Sequence, residues 1–143
     1  MNDWTQNQEI RLAYEDVRDP GTTTNWCALT YLNPASKQMK LLGKGSGWID
    51  ELKTYLKDDM VAYCYLQVKW SPREERKPEY VFLTFIGPNV PILRREKVEE
   101  HKGLVRKVFT EKICEIDETD FDKFRRHNVL ERVRELAVKE IQK

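Results

Sequence analysis

Residues 60–87 read MVAYCYLQVKWSPREERKPEYVFLTFIG and contain the strongest indication of the fold class. It contains two nearly continuous apolar runs, 60–70 and 79–87, on either side of a charged turn at 71–78. Runs rich in β-branched and aromatic residues are typical of strands, and the lack of polar alternation is typical of strands covered on both faces. We therefore predict an inner strand pair in a sheet that has helices on both sides.

The rest of the chain supplies the other elements of such a sheet. Further strands are predicted at 23–32, 38–43 and 113–117. Helices are predicted at 3–18 with Asp3 as cap, from Ser46 to about Leu56, at 93–112, at a short turn capped by Thr119 or Asp120, and at 129–141. The order α-β-β-α-β-β-α-β-α-α contains two adjacent strand pairs, which favours a mixed α+β sheet over a doubly wound parallel one.

Composition limits the class of protein. The chain has 143 residues, of which 40% are hydrophobic and 34% charged, with 25 Lys and Arg against 24 Asp and Glu. These values predict one folded domain over residues 1–143 and exclude a disordered chain or a histone-like polycation. No run of about 18 apolar residues, secretory signal or lipid-attachment motif is present, so we expect no transmembrane segment and a cytosolic or nuclear protein.

The reactive residue types form no recognised catalytic or metal-binding pattern. His101 and His127 lie outside any zinc-binding spacing, and the three separated cysteines are expected to be reduced, buried thiols. The glycine-rich segment 43–47 does not match a phosphate-binding loop, and we interpret it as a strand-to-helix turn in which glycine provides positive φ. We therefore expect no catalytic residues, no metal ligands and no cofactor, and the sequence favours a binding module over an enzyme.

The near-neutral net charge conceals two segments of opposite sign. Residues 3–19 have two bases and five acids, whereas residues 94–107 have six bases and three acids. Helical spacing puts three of these bases on one flank of the third predicted helix: Arg95, Lys102 and Arg106. Two interpretations are open, an outward cationic flank that meets a partner or an ordinary helix side with internal ion pairs. A kink at Gly103 would change this geometry.

A second basic cluster lies at the turn between the two apolar strands. It consists of Arg73, Arg76 and Lys77. The cluster is either a projecting contact for an acidic partner or an ordinary charged hairpin tip. For the basic helical segment, the acidic residues interleaved among the bases of 94–107 argue against nucleic acid as the partner.

Four collinear stretches resemble the coactosin branch of the actin-depolymerising-factor homology (ADF-H, or cofilin) family. They are AYEDVRDPGTTTNWCALTYL (13–32), LLGKGSGWIDEL (41–52), YVFLTFIGPNVPILRREKV (80–98) and HKGLVRKVF (101–109). The resemblance covers nearly the whole chain. The drebrin-like branch of the same family, which shares the glycine turn and the end of the apolar strand, is the second candidate.

The resemblance implies an α/β (α+β) fold, a single ADF-H domain whose central mixed sheet of five or six strands is sandwiched between helices on both faces. It implies binding to actin filaments, with monomeric actin as a further partner, and without strong severing. In relatives the third helix inserts into a cleft between two actin subdomains, and the projecting hairpin with the C-terminal region makes the filament-specific contact. The resemblance and the helical spacing together give the expected actin-binding residues: Arg73, Arg76, Lys77, Arg94, Arg95, Lys97, Lys102 and Arg106.

Two features depart from the family pattern. Glu79 stands where relatives often have a lysine that contributes to filament binding. Two interpretations are open: filament binding is weaker and monomer binding more important, or Arg76 and Lys77, two or three residues earlier, substitute for that lysine. No serine precedes Ser36, which argues against the N-terminal phosphorylation that regulates severing relatives.

These observations lead to a set of functional expectations. We expect a monomeric, cytoplasmic protein of the actin cytoskeleton, with acidic phosphoinositides as a further ligand of the same cations and without nucleic-acid binding. The alternative is a scaffold or trafficking adaptor that uses the same fold without actin. Charge reversal at Lys102 and Arg106 is expected to abolish actin binding in the first case and to be irrelevant in the second.

Overall fold

The centre of the molecule is one mixed sheet. The computed structural model describes residues 3–73 and 76–142. The strands are β1 (Trp26–Tyr31), β2 (Met39–Gly45), β3 (Val61–Val68), β4 (Glu79–Ile86) and β5 (Cys114–Glu118), in the spatial order β2-β1-β3-β4-β5. The pairs β1–β2, β1–β3 and β3–β4 are antiparallel and the pair β4–β5 is parallel, so the predicted mixed sheet is confirmed with five strands.

The helices follow the predicted order. They are α1 (Gln8–Arg18), α2 (Trp48–Lys53), α3 (Ile92–Arg95), α4 (Val98–Val105) and α5 (Arg126–Ile141), with two short 3-10 turns at Trp4–Gln6 and Phe121–Lys123. None of the described helices is long and apolar enough to cross a membrane. The cysteines are free thiols, with Cys27 and Cys64 buried as predicted and Cys114 only half-buried.

Both faces of the sheet are covered, as the apolar runs of β3 and β4 predict. Alternate residues of β3 enter different cores, because successive side chains of a strand point to opposite faces. Tyr63 and Tyr65 belong to the core that includes α1 and α4, whereas Cys64 and Leu66 belong to the core that includes α2 and α5. The two cores hold β3 and β4 from both sides and thereby fix the loops at the ends of these strands.

The two chain ends differ from prediction mainly in where their helices begin. The helix predicted over 3–18 is interrupted at Asn7, whose side-chain oxygen accepts a hydrogen bond from the Ile10 amide at 3.2 Å and caps α1. Asp3 is a cap as predicted, but it caps the preceding 3-10 turn. Asp120 caps the turn at Phe121–Lys123 as predicted, and α5 begins three residues before the predicted start.

The glycine-rich turn before α2 corrects two expectations. Gly47, and not Ser46, lies at the cap position, and it makes no side-chain hydrogen bond there. No described glycine has positive φ, whereas Trp48 does, at 53°. The glycines instead make room, since a Cβ on Gly45 would lie 1.8 Å from Glu51 Oε1. That oxygen accepts hydrogen bonds from Trp26 Nε1 at 2.7 Å and from the Gly47 amide at 3.1 Å.

The prediction of one continuous third helix is also wrong. The structure divides it into α3 and α4, with a break at Glu96 and Lys97. At the break the Lys97 amide donates to the Arg94 carbonyl, three residues back, in place of the regular helical bond. Gly103 lies inside α4 and is not the site of the break.

Candidate functional site

The loop that follows β4 holds α3 in a fixed position. The Gly87 amide donates to the Met60 carbonyl at 2.9 Å, and the Asn89 amide donates to the Asp58 carbonyl at 2.8 Å. A side chain on Gly87 would collide with the backbone of Asp58, where its Cβ would lie 2.2 Å from the carbonyl oxygen. Only glycine therefore allows this close approach of the two loops.

The most exposed large hydrophobic side chains of the described residues lie on α3. Ile92 is 70% exposed and Leu93 is 76% exposed. Exposed aliphatic side chains that adjoin one another on a fixed backbone are typical of surfaces that become buried in a complex. Arg94 and Lys97 lie beside them in the chain, and we call these four residues the α3 surface.

Arg94 attaches α3 to the end of β1. Its guanidinium lies 3.6 Å from the centroid of the Tyr31 ring, a cation–π contact. One of its terminal nitrogens also donates a hydrogen bond to the carbonyl of Pro34 in the β1–β2 connection. The charge of Arg94 is therefore partly engaged inside the molecule, while that of Lys97 is exposed, with Glu100 at 3.8 Å.

Arg95 is directed back toward the loop that precedes α3. Its guanidinium donates to the carbonyl oxygens of Val90 at 3.0 Å, Gly87 at 3.0 Å and Pro88 at 2.9 Å. Three charge-assisted bonds to backbone carbonyls make Arg95 a clamp on the loop.

Lys102 on α4 is buried, with only 3% of its surface exposed. Its ammonium group contacts both carboxylate oxygens of Asp117 on β5, at 2.7 and 2.8 Å, and Glu99 Oε1 at 2.7 Å. Burial acts to lower the pKa of Lys102, but the hydrogen bonds to Asp117 and Glu99 outweigh it and raise the pKa above its ordinary value. This lysine stays charged and joins α4 to β5.

Arg106, just after α4, makes a second connection to β5. Its Nε and Nη2 atoms donate to the two carboxylate oxygens of Glu115, each at 2.8 Å. The hydrogen bond to Glu115 raises the pKa of Arg106, and the same bond lowers the pKa of Glu115. Such a bidentate pair has a fixed geometry as well as charge complementarity.

These contacts decide between the two interpretations of the basic segment. The three cations of the expected outward flank, Arg95, Lys102 and Arg106, each have partners within the chain, which disfavours such a flank, and their contact with actin stays a prediction. The alternative, a helix side with internal ion pairs, describes the structure. The pairing carboxylates of Asp117 and Glu115 come from β5, which the spacing of the helix does not reveal.

The basic turn between β3 and β4 is anchored by Trp70. The Trp70 indole nitrogen donates to the Lys77 carbonyl at 3.1 Å, and Arg134 of α5 donates to the Trp70 carbonyl at 3.3 Å. Arg73, Arg76 and Lys77 are exposed. Residues 74–75 of this predicted hairpin lie outside the described residues. We call the three cations the hairpin cluster.

The α3 surface and the hairpin cluster lie at opposite ends of β4. The hairpin precedes Glu79, the first residue of β4, and the loop to α3 follows Ile86, the last one. Eight residues of strand span roughly 25 Å. The predicted site residues are therefore not one cluster, and a partner that contacts both groups must extend along the whole strand.

A hydrogen-bonded network lies beneath the two helices. The Tyr31 hydroxyl is 2.7 Å from the Tyr63 hydroxyl and 2.6 Å from His101 Nδ1. All three residues are buried. Burial lowers the pKa of His101 and raises the pKa of Tyr31 and of Tyr63. Sequence reasoning assigned no role to this network.

Sequence reasoning also missed the exposed pair Ile92 and Leu93. A signal was present in the spacing, because the buried residues Val98 and Val105 define the inward stripe of α4. On a continuous helix, the positions three and four residues before Val98 are 95 and 94. Ile92 and Leu93 therefore do not lie on the buried face that Val98 and Val105 define. Aliphatic residues off the buried stripe of a helix are candidates for contact with a partner.

Comparison with known proteins agrees with this architecture. Residues 4–134 match the family of cofilin/tropomyosin-type actin-binding proteins. The chain is 29% identical over 127 residues to coactosin of Dictyostelium discoideum, which covers 88% of this chain and 86% of that protein. Human coactosin-like protein superimposes with a TM-score of 0.81 at 20% identity, covering 91% of this chain and 96% of that one. Mouse coactosin, described as an actin filament binding protein, superimposes with a TM-score of 0.72 at 20% identity, covering 88% and 86%.

The mixed sheet of five strands between two helical layers is thus an ADF-H domain. The chain belongs to the family of cofilin/tropomyosin-type actin-binding proteins. Within that family it resembles coactosin over most of its length. The prediction of an actin-binding protein of the cytoskeleton is confirmed, and the roles of the individual site residues stay predictions.

Proposed function

We propose that this protein binds actin through the α3 surface, and that the hairpin cluster adds a second contact on filaments, without strong severing. The family supports actin as the partner. The single observation that carries the proposal is the exposed aliphatic pair Ile92 and Leu93, which the Arg95 clamp holds on a fixed loop.

The α3 surface has the composition expected of the centre of an interface. Burying a large aliphatic side chain contributes roughly 1.5–3 kcal/mol, so Ile92 and Leu93 together supply a substantial part of a binding free energy. Cations at the margin of such a patch add specificity and association rate more than affinity. The exposed Lys97 is the cation proposed for the margin of this patch.

The hairpin cluster supplies the contact proposed for filaments. It lies at the far end of β4, roughly 25 Å from the α3 surface. A contact at that distance suits a second actin subunit, which a filament offers and a monomer does not. Mouse coactosin, which has the same fold, is an actin filament binding protein, and this supports the same preference here.

The internal cations have an indirect role in this proposal. Arg95 fixes the loop before α3, while Lys102 and Arg106 hold α4 on β5. We assign them to the placement of the α3 surface and not to direct contact with actin. Charge reversal at Lys102 therefore does not discriminate actin binding from an adaptor function, because the change damages the fold in either case.

The remaining expectations form part of the same proposal. The protein acts as a single monomeric domain in the cytoplasm, and it has no enzymatic role. Acidic phosphoinositides are a further proposed ligand of the exposed cations Lys97, Arg76 and Lys77, because anionic headgroups and an acidic actin surface attract the same charges.

Sedimentation with filamentous actin at two salt concentrations, together with binding to monomeric actin, tests the proposal. The variant Lys77→Glu is compared with Lys40→Glu, which makes the same charge change at an exposed position on β2. Lys77→Glu is expected to weaken filament binding about fivefold and to leave monomer binding unchanged, because charge pairs at a rim are worth about 1 kcal/mol or less. Lys40→Glu is expected to change neither.

Two results would contradict the proposal. Wild-type protein that stays in the supernatant at both salt concentrations and also fails to bind monomers is not an actin-binding protein. Equal effects of Lys77→Glu and Lys40→Glu on filaments would show that the hairpin cluster makes no filament contact.

A further inference from the structure

A groove between β5 and α5 has no part in the proposed actin contact. β5 is the last strand of the sheet, with β4 on one side and no described strand on the other. The first half of α5 and the turn before it lie along this strand, and a cavity of about 310 Å³ opens between them. We call the cavity and the outer edge of β5 the β5–α5 groove. The cavity residues that matter below are Leu83, Ile116, Lys123, Phe124, Val129 and Arg132.

The outer edge of β5 presents backbone groups without a partner. The Ile113 amide, just before the strand, donates to the Tyr80 carbonyl of β4 at 2.8 Å. In a parallel pair the backbone groups of alternate residues point to opposite sides, so the residues between these bonds point away from β4. Within the described chain, nothing outside the sheet is hydrogen-bonded to their amides or carbonyls. These outward residues are Cys114, Ile116 and Glu118.

The cavity provides a pocket for an apolar side chain beside this edge. Leu83, Phe124 and Val129 line it and are at most 3% exposed, and Ile116 of β5 is half-buried there. Its volume lies at the lower end of the range for ligand pockets, which suits one large side chain better than a whole cofactor. An exposed strand edge with an apolar pocket beside it is the arrangement that proteins use to bind an extended peptide.

The charges left unpaired around the cavity are positive. Glu115 is bound by Arg106 through both carboxylate oxygens, and Glu118 accepts hydrogen bonds from the two backbone amides that follow it. Lys123 and Arg132 are exposed, and neither forms an ion pair with a residue that the structure describes. Carboxylates on a bound segment therefore complement this rim.

We propose that the β5–α5 groove binds an extended segment of a partner protein as an added strand. One large apolar side chain of the segment fills the cavity, and carboxylates on the same face of the segment lie toward Lys123 and Arg132. Backbone hydrogen bonds to the β5 edge provide affinity, and the cavity selects the side chain. None of the groove residues belongs to the α3 surface or to the hairpin cluster, so this site does not depend on the actin contact.

Amide exchange in the free protein tests whether the edge is open. The amides of Glu115 and Asp117, which face β4, are expected to exchange slowly, and those of Cys114 and Ile116 close to the rate of an unfolded chain. Equal protection of all four amides overturns the proposal, because the edge then already has a partner. Sedimentation at two protein concentrations shows whether that partner is a second copy of this chain.

Peptides of defined sequence test the occupant. The probe is the acetylated and amidated pentapeptide EVFVE, whose phenylalanine and glutamates share one face of a strand. Three companions have leucine, isoleucine or tryptophan at the centre. NMR titration is expected to show saturable shifts at residues 114–118 and slower exchange of the outward amides. Alanine at the centre, or N-methylation of every residue, is expected to weaken binding about tenfold, since each removes one of the two proposed contacts.

Variants at the rim test the charge requirement. Lys123→Glu and Arg132→Glu are each expected to weaken binding of EVFVE roughly threefold, because exposed charge pairs have small effects. Lys139→Glu, which makes the same change at an exposed position near the end of α5, is the matched control and is expected to leave binding unchanged. The peptide KVFVK is expected to reverse the order and to prefer Lys123→Glu over wild type.

Four results would overturn the proposal. They are no saturable shift at residues 114–118 with any of the four peptides, shifts confined to another surface, undiminished binding of the N-methylated peptide, and equal effects of Lys123→Glu and Lys139→Glu. The compound 3-phenylpropionate, which has a ring and a carboxylate but no peptide backbone, is the final control. Binding as tight as that of EVFVE would make the cavity a small-molecule site and also overturn the proposal. No experiment here contains actin, so failure of the proposed function leaves these outcomes unchanged.

Discussion

The helices α3 and α4 are separated by two residues of the chain, and both carry cations that contact the rest of the molecule, but their outward surfaces differ. On α4 and just after it, Lys102 and Arg106 are bound by carboxylates of β5. On α3, the outward surface is aliphatic, with Ile92 and Leu93 exposed. The cations Lys102 and Arg106 are therefore mostly structural, and the aliphatic pair on α3 is the part available to a partner.

Charge along a helix therefore does not locate a binding surface by itself. Whether a cation is available depends on the side chains of the neighbouring strand, here Asp117 and Glu115 of β5. A lysine or arginine that lies over such a carboxylate stabilises the fold. Substitutions at these cations test this division, and the changes that should cost most come first.

The largest effect is expected at Lys102. Lys102→Glu places a carboxylate in a buried position beside Asp117 and Glu99, and it is expected to lower the free energy of unfolding by about 3–5 kcal/mol, as measured by urea denaturation. Lys102→Met is the control, and it is expected to cost much less because Glu99 and Asp117 are already more than half exposed and water can solvate their carboxylates. If Lys102→Glu unfolds at the wild-type urea concentration but fails to bind actin, Lys102 is a contact residue and the division is wrong.

A smaller loss of stability is expected at Arg106. Arg106→Met removes a bidentate pair with Glu115 that is partly screened by solvent, so the free energy of unfolding is expected to fall by about 1 kcal/mol. Actin affinity is expected to change less than twofold at a temperature where both proteins are folded. A large loss of affinity with unchanged stability would assign Arg106 to the interface instead.

The same pair has a defined pH dependence. The hydrogen bond from Arg106 lowers the pKa of Glu115 below its ordinary value of 4.5, although burial opposes the shift. The stabilisation is therefore complete above pH 4.5 and is lost as the pH falls through the lowered value. The difference in unfolding free energy between wild type and Arg106→Met is expected to shrink between pH 6 and pH 3, and a constant difference would show that the pair contributes through packing alone.

The smallest effect is expected at Lys97, the exposed cation of the α3 surface. Lys97→Ala is expected to weaken actin binding about threefold at low salt and to have almost no effect at high salt, because an exposed charge is screened. Binding isotherms at the two salt concentrations measure this difference. An effect that does not depend on salt would place Lys97 in a desolvated contact and move the centre of the interface toward it.

Much of the fold could be predicted because the decisive signals are local. The apolar runs of β3 and β4 indicate burial on both faces, and the order of strands and helices along the chain follows from the spacing of the apolar residues. The errors occurred where distant residues decide the local structure. Glu51 needs the space at Gly45, and the Arg95 side chain returns to the loop before α3, so neither the turn before α2 nor the division of the third predicted helix is visible in helical periodicity.

The candidate site was less accessible to sequence reasoning for the same reason. The family resemblance indicated the third helix and the hairpin as the binding regions. Within these regions the candidate residues were then chosen by their positive charge. Lys102 and Arg106 were predicted as contact residues because their charge was considered without their partners on β5, which lie 15 and 9 residues away in sequence. Hydrophobic residues off the inward stripe, Ile92 and Leu93, were a better local signal.

The central claim is that the aliphatic pair on α3 makes the actin contact. The most direct measurement compares Ile92→Asp with Leu12→Asp in actin affinity and in unfolding free energy, since Leu12 is a 50% exposed leucine on α1. Both are expected to keep wild-type stability within about 0.5 kcal/mol, because the side chains are exposed. Ile92→Asp is expected to weaken binding to monomers and filaments at least tenfold, roughly the effect of excluding one buried aliphatic side chain, while Leu12→Asp leaves both unchanged. Wild-type affinity of a folded Ile92→Asp variant for both forms of actin would contradict the claim.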